Sequence, residues 1–309
     1  MNINETVDTR VEICGVEMKN PVTVASGTFG SGMEYGDFVD LSALGAVTTK
    51  GVAITPWAGN DTPRVAETYG GMLNAIGLQN PGLDTFIERD LKFLRDYDTK
   101  VIVNVCGHSA EEYEACVERL ADNPDVDLME INVSCPNVKE GGIAFGVDPK
   151  CLNDITKKLK KKSGNKPLIM KLSPNVTDIS EMARAAVDGG ADALSLINTI
   201  TGMKIDIYRR TYALANRTGG MSGPAVKPVA VRMVNQVASA VDVPIIGMGG
   251  ISCWEDAIEF IMAGATAVSV GTANFNNPTV TIEVVNGIQQ FMKDQGIRSL
   301  DEIRGCVRW

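Results

Sequence analysis

Apolar residues along this chain come in short runs rather than long stripes. The runs are rich in β-branched residues, and a segment with helical spacing follows each one. "PVTVAS" (21–26), "AVTTK" (46–50), "VIVNV" (101–105) and "LMEINVS" (128–134) are the first four. "PLIMKLS" (167–173), "DALSLIN" (192–198), "VPIIGMG" (243–249) and "AVSVGT" (267–272) bring the set to eight. Near-continuous apolar strands alternating with helices predict a parallel sheet covered on its faces. Helix starts are legible too. "SAEE" (109–112) and "SCWE" (252–255) have the form of capping boxes, and Asp148-Pro149 and Asn277-Pro278 place an N-cap before a proline at the first helical position. Eight strand–helix units in 309 residues predict an α/β fold, a (β/α)8 TIM barrel, as one domain over 1–309. "VEICGVEMKN" (11–20), with its central glycine, predicts an N-terminal hairpin closing the bottom of the barrel.

Two connections are too long to be simple links: 51–82 after the second strand and 199–223 after the sixth. Loops of that length in a compact domain are usually functional or carry strands of their own. Both follow strands, so both belong to the C-terminal face, where barrel enzymes keep their chemistry.

The strand ends gather polarity. Ser26, Lys50, Asn104, Asn132, Lys171, Asn198, Gly249 and Thr272 close runs that are otherwise apolar. A single polar strand end needs only water to explain it, but three asparagines and two lysines converging on one rim suggest a ligand site. "GMGGIS" (247–252) and "GTANF" (271–275) put glycines after strands seven and eight, where barrels cradle phosphate on backbone N–H groups; Gly223 could add to the cradle. A tight turn is the competing explanation. The G-x-G-x-x-G dinucleotide pattern would need glycine at Ser252, so a mononucleotide phosphate fits better than NAD. Lys171 is expensive to bury unpaired. A planar, electron-accepting ligand such as a flavin would explain it, since an ammonium beside its pyrimidine edge stabilises the charge of reduction. Lys50 could act likewise or meet a substrate carboxylate; for either lysine a structural salt bridge competes.

Composition narrows the field. A formal charge of −9 argues against a nucleic-acid partner, and the basic stretch "KKLKKKSGNK" (157–166) reads as the solvated end of a helix. No apolar run has the length to span a bilayer, and the polar start "MNINETVDTR" is unlike a signal peptide, so a cytoplasmic protein is expected. Seven cysteines without a C-x-x-C suggest neither zinc nor an iron–sulfur cluster. With one histidine, His108, read as a surface loop residue, the chain can hardly rely on histidine catalysis. Cys135 lies past a strand's end on a loop with Gly141 and Gly142, unlike the other six cysteines in strand, helix or tail patterns. A thiol with an ordinary pKa near 8.5 is a usable base close to neutrality.

"SGTFGSGMEY", "MLNAIGLQNPG", "EINVSCPNV", "KLSPNVTDI", "LINT" and "PIIGMGGI" together resemble class 1 dihydroorotate dehydrogenases, in order and spacing, from about residue 8 to 300. "TPRVAET" and "MLNAIGLQNPG" resemble subgroup 1B, whose electrons reach NAD through a partner. The fumarate-using subgroup 1A typically has serine and methionine where Ala75 and Ile76 stand. Class 2 enzymes use a serine base and a membrane extension, which this chain does not match.

The resemblance implies FMN as cofactor and oxidation of dihydroorotate to orotate in pyrimidine biosynthesis. Cys135 matches the catalytic base and Lys50 a lysine between substrate and flavin. Asn74, Gly77, Leu78, Asn132, Asn198 and Thr199 match orotate contacts. Ala25, Ser26, Thr49, Lys50, Asn104, Asn132, Lys171, Ile197 and Gly223 match FMN contacts, with Gly249, Gly250, Gly271 and Thr272 around its phosphate. It further implies an electron-transfer subunit carrying FAD and [2Fe-2S], in a heterotetramer around a homodimer of this chain. Reduction of a related pyrimidine is the nearest alternative. In a different class, a phosphate-sugar lyase or isomerase could use Lys171 as a Schiff-base nucleophile.

Overall fold

The computed structural model describes residues 7–133, 139–140 and 143–307. Its centre is a parallel sheet of eight strands: β1 (Val22–Val24), β2 (Ala46–Thr48), β3 (Lys100–Val105), β4 (Leu128–Asn132), β5 (Leu168–Lys171), β6 (Ala193–Leu196), β7 (Ile245–Met248) and β8 (Ala267–Val270). Spatial order follows chain order from β2 round to β8 and on to β1. Between β1 and β2 the ring is joined by a 3.0 Å hydrogen bond between the Thr23 and Thr48 hydroxyls and by Gly45 N–H donating to Val22 O at 3.1 Å. All eight runs read from the sequence are strands of this barrel; seven strands are shorter than their runs, and β3 extends its run by one residue to Lys100.

Helices cover the outside because each carries one apolar stripe. In Ala110–Ala121 the buried positions are Ala110, Tyr113, Cys116, Val117 and Leu120, and in Ile179–Asp188 they are Ile179, Met182, Ala183 and Ala186. That is the three-and-four spacing of one helix face. Each large apolar side chain so buried contributes roughly 1.5–3 kcal/mol. The basic stretch ends helix Pro149–Lys162, whose apolar face holds Leu152, Ile155 and Leu159, while Lys160 pairs with Asp192 at 2.7 Å and Lys162 with Glu118 at 3.0 Å. The hairpin Val11–Ile13 and Val16–Met18 forms as expected. Ile13 and Met18 are fully buried, and Cys14 Sγ donates to Asp192 O just ahead of β6, at the barrel's N-terminal end.

Helix starts match less well. Asp148 caps Pro149–Lys162 by accepting from Cys151 N at 2.8 Å. Ser109 accepts from Glu112 N, but Glu112 turns to His108 N–H rather than completing the box. Ser252 is not a cap: Asp256 takes its N–H at 2.8 Å, so helix Trp254–Met262 starts after Cys253. Asn277 accepts from Thr279 N, and that turn delays the final helix to Val280–Gln295. In both cases a side chain is committed to a backbone N–H other than the one the expected cap required: Asp256 to Ser252 N–H and Asn277 to Thr279 N–H.

The two long connections meet each other. Val65–Thr68 and Gly71–Asn74 from the first join Ile200–Met203 and Thr218–Ser222 from the second in one antiparallel four-stranded sheet, with Gly71–Asn74 against Thr218–Ser222. Beyond it a small hairpin, Ile205–Asp206 with Thr211–Tyr212, leaves Ile207 and Tyr208 exposed. Among the described residues, no helix is long and apolar enough to cross a membrane.

Candidate active site

The floor of the barrel mouth is a polar group inside an apolar cylinder. Parallel register sets Asn104 of β3 opposite Glu130 of β4, and Asn132 of β4 opposite Lys171 of β5. Asn104 is fully buried, Glu130 is 1% exposed and Lys171 is 5% exposed. Glu130 Oε1 accepts from Asn104 Nδ2 at 2.6 Å and from Lys171 Nζ at 3.2 Å. Asn104 Oδ1 is buried and has no hydrogen-bond partner among the described residues. Nearby Thr49 Oγ1 accepts from Asn104 N at 3.3 Å and donates to Lys50 O at 3.2 Å, tying the end of β2 to β3.

Lys50 leaves β2 with its N–H on Gly30 O at 2.8 Å. Burial holds its ammonium below the ordinary lysine range; Cys106 opposes that, and the charges of Arg64 and Lys171 reinforce it. A Cβ on Gly27 would lie 3.4 Å from Lys50 Nζ, so this glycine keeps the approach to the ammonium clear.

The carboxamides form a chain along one side. Asn198 Nδ2 donates to Asn132 Oδ1 at 2.9 Å, and Asn198 Oδ1 accepts from Thr199 N at 2.8 Å. Tyr113 Oη fixes the backbone by donating to Asn132 O at 2.7 Å. Asn74 lies across the side sheet opposite Gly220, with Nδ2 on Gly220 O at 3.4 Å. Gly220 in turn sits against Thr199: a Cβ there would lie 2.0 Å from Thr199 Oγ1. Asn74 therefore reaches the carboxamide chain through the sheet its loop helps to build. Gly77 and Leu78 both have left-handed backbone, with φ of +75° and +53°.

The loops after β7 and β8 each meet the end of the long connection after β6, at Gly223 and Ser222. Gly249, Gly250 and Gly223 have φ of +125°, +84° and +103°. A Cβ on Gly250 would lie 2.9 Å from Gly223 O, and one on Gly223 2.5 Å from Gly71 Cα, so only glycine allows this convergence. Thr272 Oγ1 donates to Ser222 Oγ at 2.7 Å. Gly271 faces Ala25, whose N–H binds Val270 O at 2.8 Å, while Ile197 N–H binds Met248 O at 2.9 Å. Ser26 follows, half-buried.

Cys135 lies outside the described residues. Of the other thiols, burial pushes Cys116 up to about 12 and Cys14 and Cys253 up to about 11, which keeps them protonated and unreactive near neutrality. His108 is half exposed and stacks on Trp57, with ring centroids 3.7 Å apart.

A family model for dihydroorotate dehydrogenase matches residues 9–292. The chain belongs to the dihydroorotate dehydrogenase family. Among dihydroorotate dehydrogenases it falls with the class 1B catalytic subunits. It is 67% identical over 302 residues to the "Dihydroorotate dehydrogenase B (NAD(+)), catalytic subunit" of Lachnoclostridium phytofermentans, covering 98% of this chain and all of that one. The protein of the same name from Alkaliphilus metalliredigens is 62% identical over 301 residues, 97% of this chain and 99% of its own. The fold matches the crystal structure of DHODH in complex with ferulenol from Eimeria tenella, with a TM-score of 0.81 at 23% identity over 98% of this chain and 89% of that one.

Against that dihydroorotate dehydrogenase background, one member of the floor went unnoticed in the sequence. Glu130 shares the parity of Asn132 within a strand, so the two point the same way, and an acid at an inward position of an apolar run was the available signal. The lyase alternative loses its footing as well, because Lys171 Nζ is bound to Glu130 rather than standing free as a nucleophile.

Proposed function

We propose that this chain oxidises (S)-dihydroorotate to orotate in pyrimidine biosynthesis, using FMN held at the barrel mouth. The observation that carries the reading is the Asn104–Glu130–Lys171 floor beside the Asn132–Asn198 pair, in a chain of this family. The residues suit the cofactor. Asn104 Oδ1 is a buried acceptor still to be matched, Lys50 and Lys171 supply donors and positive charge, and Gly223, Gly249, Gly250, Gly271 and Thr272 converge where a phosphate would need close backbone approach. Ala25, Ser26, Thr49, Asn132 and Ile197 complete the set of FMN contacts. When bound, FMN accepts the hydride that leaves C6 of the substrate.

The chain's own residues supply the rest. Asn74, Asn132 and Asn198 each offer a donor and an acceptor, which suits the imide edges of a pyrimidine ring, with Gly77, Leu78 and Thr199 adding backbone contacts. Lys50, just past the end of β2, would offer its ammonium to a substrate carboxylate or to the flavin. Cys135 takes the C5 proton as thiolate. A second subunit with FAD and [2Fe-2S] carries electrons onward to NAD, in a cytoplasmic heterotetramer around a homodimer of this single-domain chain. The relatives' name, "catalytic subunit", supports a separate partner.

Anaerobic addition of dihydroorotate to the purified yellow protein tests the reading. The flavin should bleach at once. Electrons should then pass to NAD only when the partner subunit is added, and fumarate should not substitute. Protein that binds no FMN, or FMN that dihydroorotate leaves oxidised, sinks it.

A further inference from the structure

Glu130 is a buried acid for which the proposed reaction has no use. Its carboxylate can only accept hydrogen bonds, so the Asn104 amide must present Nδ2 to it. That fixes the flip of Asn104 and turns Oδ1 away, toward Gly51, where a Cβ would lie 2.7 Å from it. The same Oε1 holds Lys171 Nζ at 3.2 Å. One carboxylate thus orients two neighbours: it turns a buried acceptor, Asn104 Oδ1, away from itself and holds a buried ammonium, Lys171 Nζ. A ligand edge that carries an N–H donor and a carbonyl acceptor is their complement, and a flavin's pyrimidine edge is of that kind.

Glu130 also sets how much positive charge this edge carries. An ammonium buried alone would strongly favour electrons on a neighbouring ring, and a carboxylate in contact with it tempers that field. We propose that Glu130 is a positioning residue that acts through Lys171 and Asn104 to preset the flavin-facing edge and hold the flavin's reduction potential down. The proposal rests on the FMN reading above.

The test is the midpoint potential of bound FMN in wild type, Glu130→Gln, Lys171→Met and the double variant. Glu130→Gln keeps the shape and removes the charge. It should favour reduced flavin by at least tenfold, a rise of about 30 mV for a two-electron couple. In the Lys171→Met background the same change should move the potential by less than threefold. An unchanged or lowered potential in Glu130→Gln overturns the proposal, as does an equal rise in both backgrounds. A purely structural Glu130 would alter melting temperature and leave the potential alone.

Unfolding of the flavin-free full chain separates the two ideas. Glu130→Gln leaves an ammonium buried without its counter-charge, so the double variant should melt higher than Glu130→Gln alone. Accumulation of folded protein from the double variant but not from Glu130→Gln counts the same way. Simple additivity of the two melting losses overturns the coupling. A chain that takes up no FMN refutes the proposed function, and this cycle still decides whether Glu130 acts on Lys171.

Discussion

The barrel floor and the side sheet are built from the same kind of chain by opposite means. On the floor, Asn104, Glu130 and Lys171 project from consecutive strands whose other residues are buried except Lys100 and Asn132 at strand ends, and ladder register sets their spacing. In the side sheet every residue of Thr218–Ser222 is only half-buried, and Val65 and Met203 are exposed. The floor is held by the packing of the whole domain, whereas the side sheet is held by two loops pairing with each other. The difference suggests a division of labour. On the proposed function, a cofactor that stays bound would sit on the rigid part, and a substrate that enters and leaves on each turnover would meet the part with least to lose by moving.

Cys135→Ala separates the two most sharply. A general base contributes roughly a hundredfold to ten-thousandfold, so substrate-driven flavin reduction at neutral pH should fall by that much in stopped flow. FMN content should stay at the wild-type level, because every proposed flavin contact is elsewhere. Loss of flavin together with reduction would show that the thiol's loop and the floor are not independent.

Gly250→Val attacks the junction from the flavin side. It puts a β-branched residue at a φ of +84°, with its Cβ 2.8 Å from Lys227 Cβ and 2.9 Å from Gly223 O. Strain of this kind costs about 1–3 kcal/mol. FMN affinity, read by fluorescence titration, should weaken roughly tenfold to a hundredfold. Unchanged affinity would remove the glycine convergence from phosphate binding.

How much of this could be read from the chain follows the same divide. The eight strands were legible because buried parallel strands are apolar runs of their own, whatever their neighbours. Lys50, Asn104, Asn132 and Lys171 stood out against those runs, and all four lie at or just past the C-terminal ends of barrel strands. The side sheet was not legible. "VAET", "GMLN", "ITGM" and "TGGMS" are short and weakly alternating, three of them interrupted by glycine, and Asn74 meets a partner 146 residues away. No local period encodes such a pairing. Ser252 misled for a different reason: the pattern was right, but Asp256 rather than Glu255 takes the Ser252 N–H, and the helix starts after Cys253.

Asn74→Ala probes the side sheet's share in binding. Its one described side-chain bond, to Gly220 O, is long at 3.4 Å, so the fold should lose little. A hydrogen bond to substrate is worth about 0.5–1.5 kcal/mol net. The KM for dihydroorotate should rise roughly threefold to tenfold, with FMN affinity and potential unmoved. A drop in FMN affinity instead would place Asn74 on the floor's side of the divide.

The smallest effect tests the floor's cost. Lys50 has its pKa lowered by burial, so charging it in the folded chain is unfavourable relative to the unfolded chain. The sign follows from that direction. The penalty is complete at pH values below the lowered pKa, shrinks as pH rises through it, and vanishes above the ordinary value of 10.5. Lys50→Met in the flavin-free protein should therefore melt higher at neutral pH, by about 2–4 °C if about 1 kcal/mol of burial cost is removed. The gap should narrow as pH climbs toward 10, while turnover of the flavin-loaded variant collapses. A variant that melts lower at every pH would mean that Lys50 serves the fold as well as the site, and that the floor carries no stability sacrificed to function.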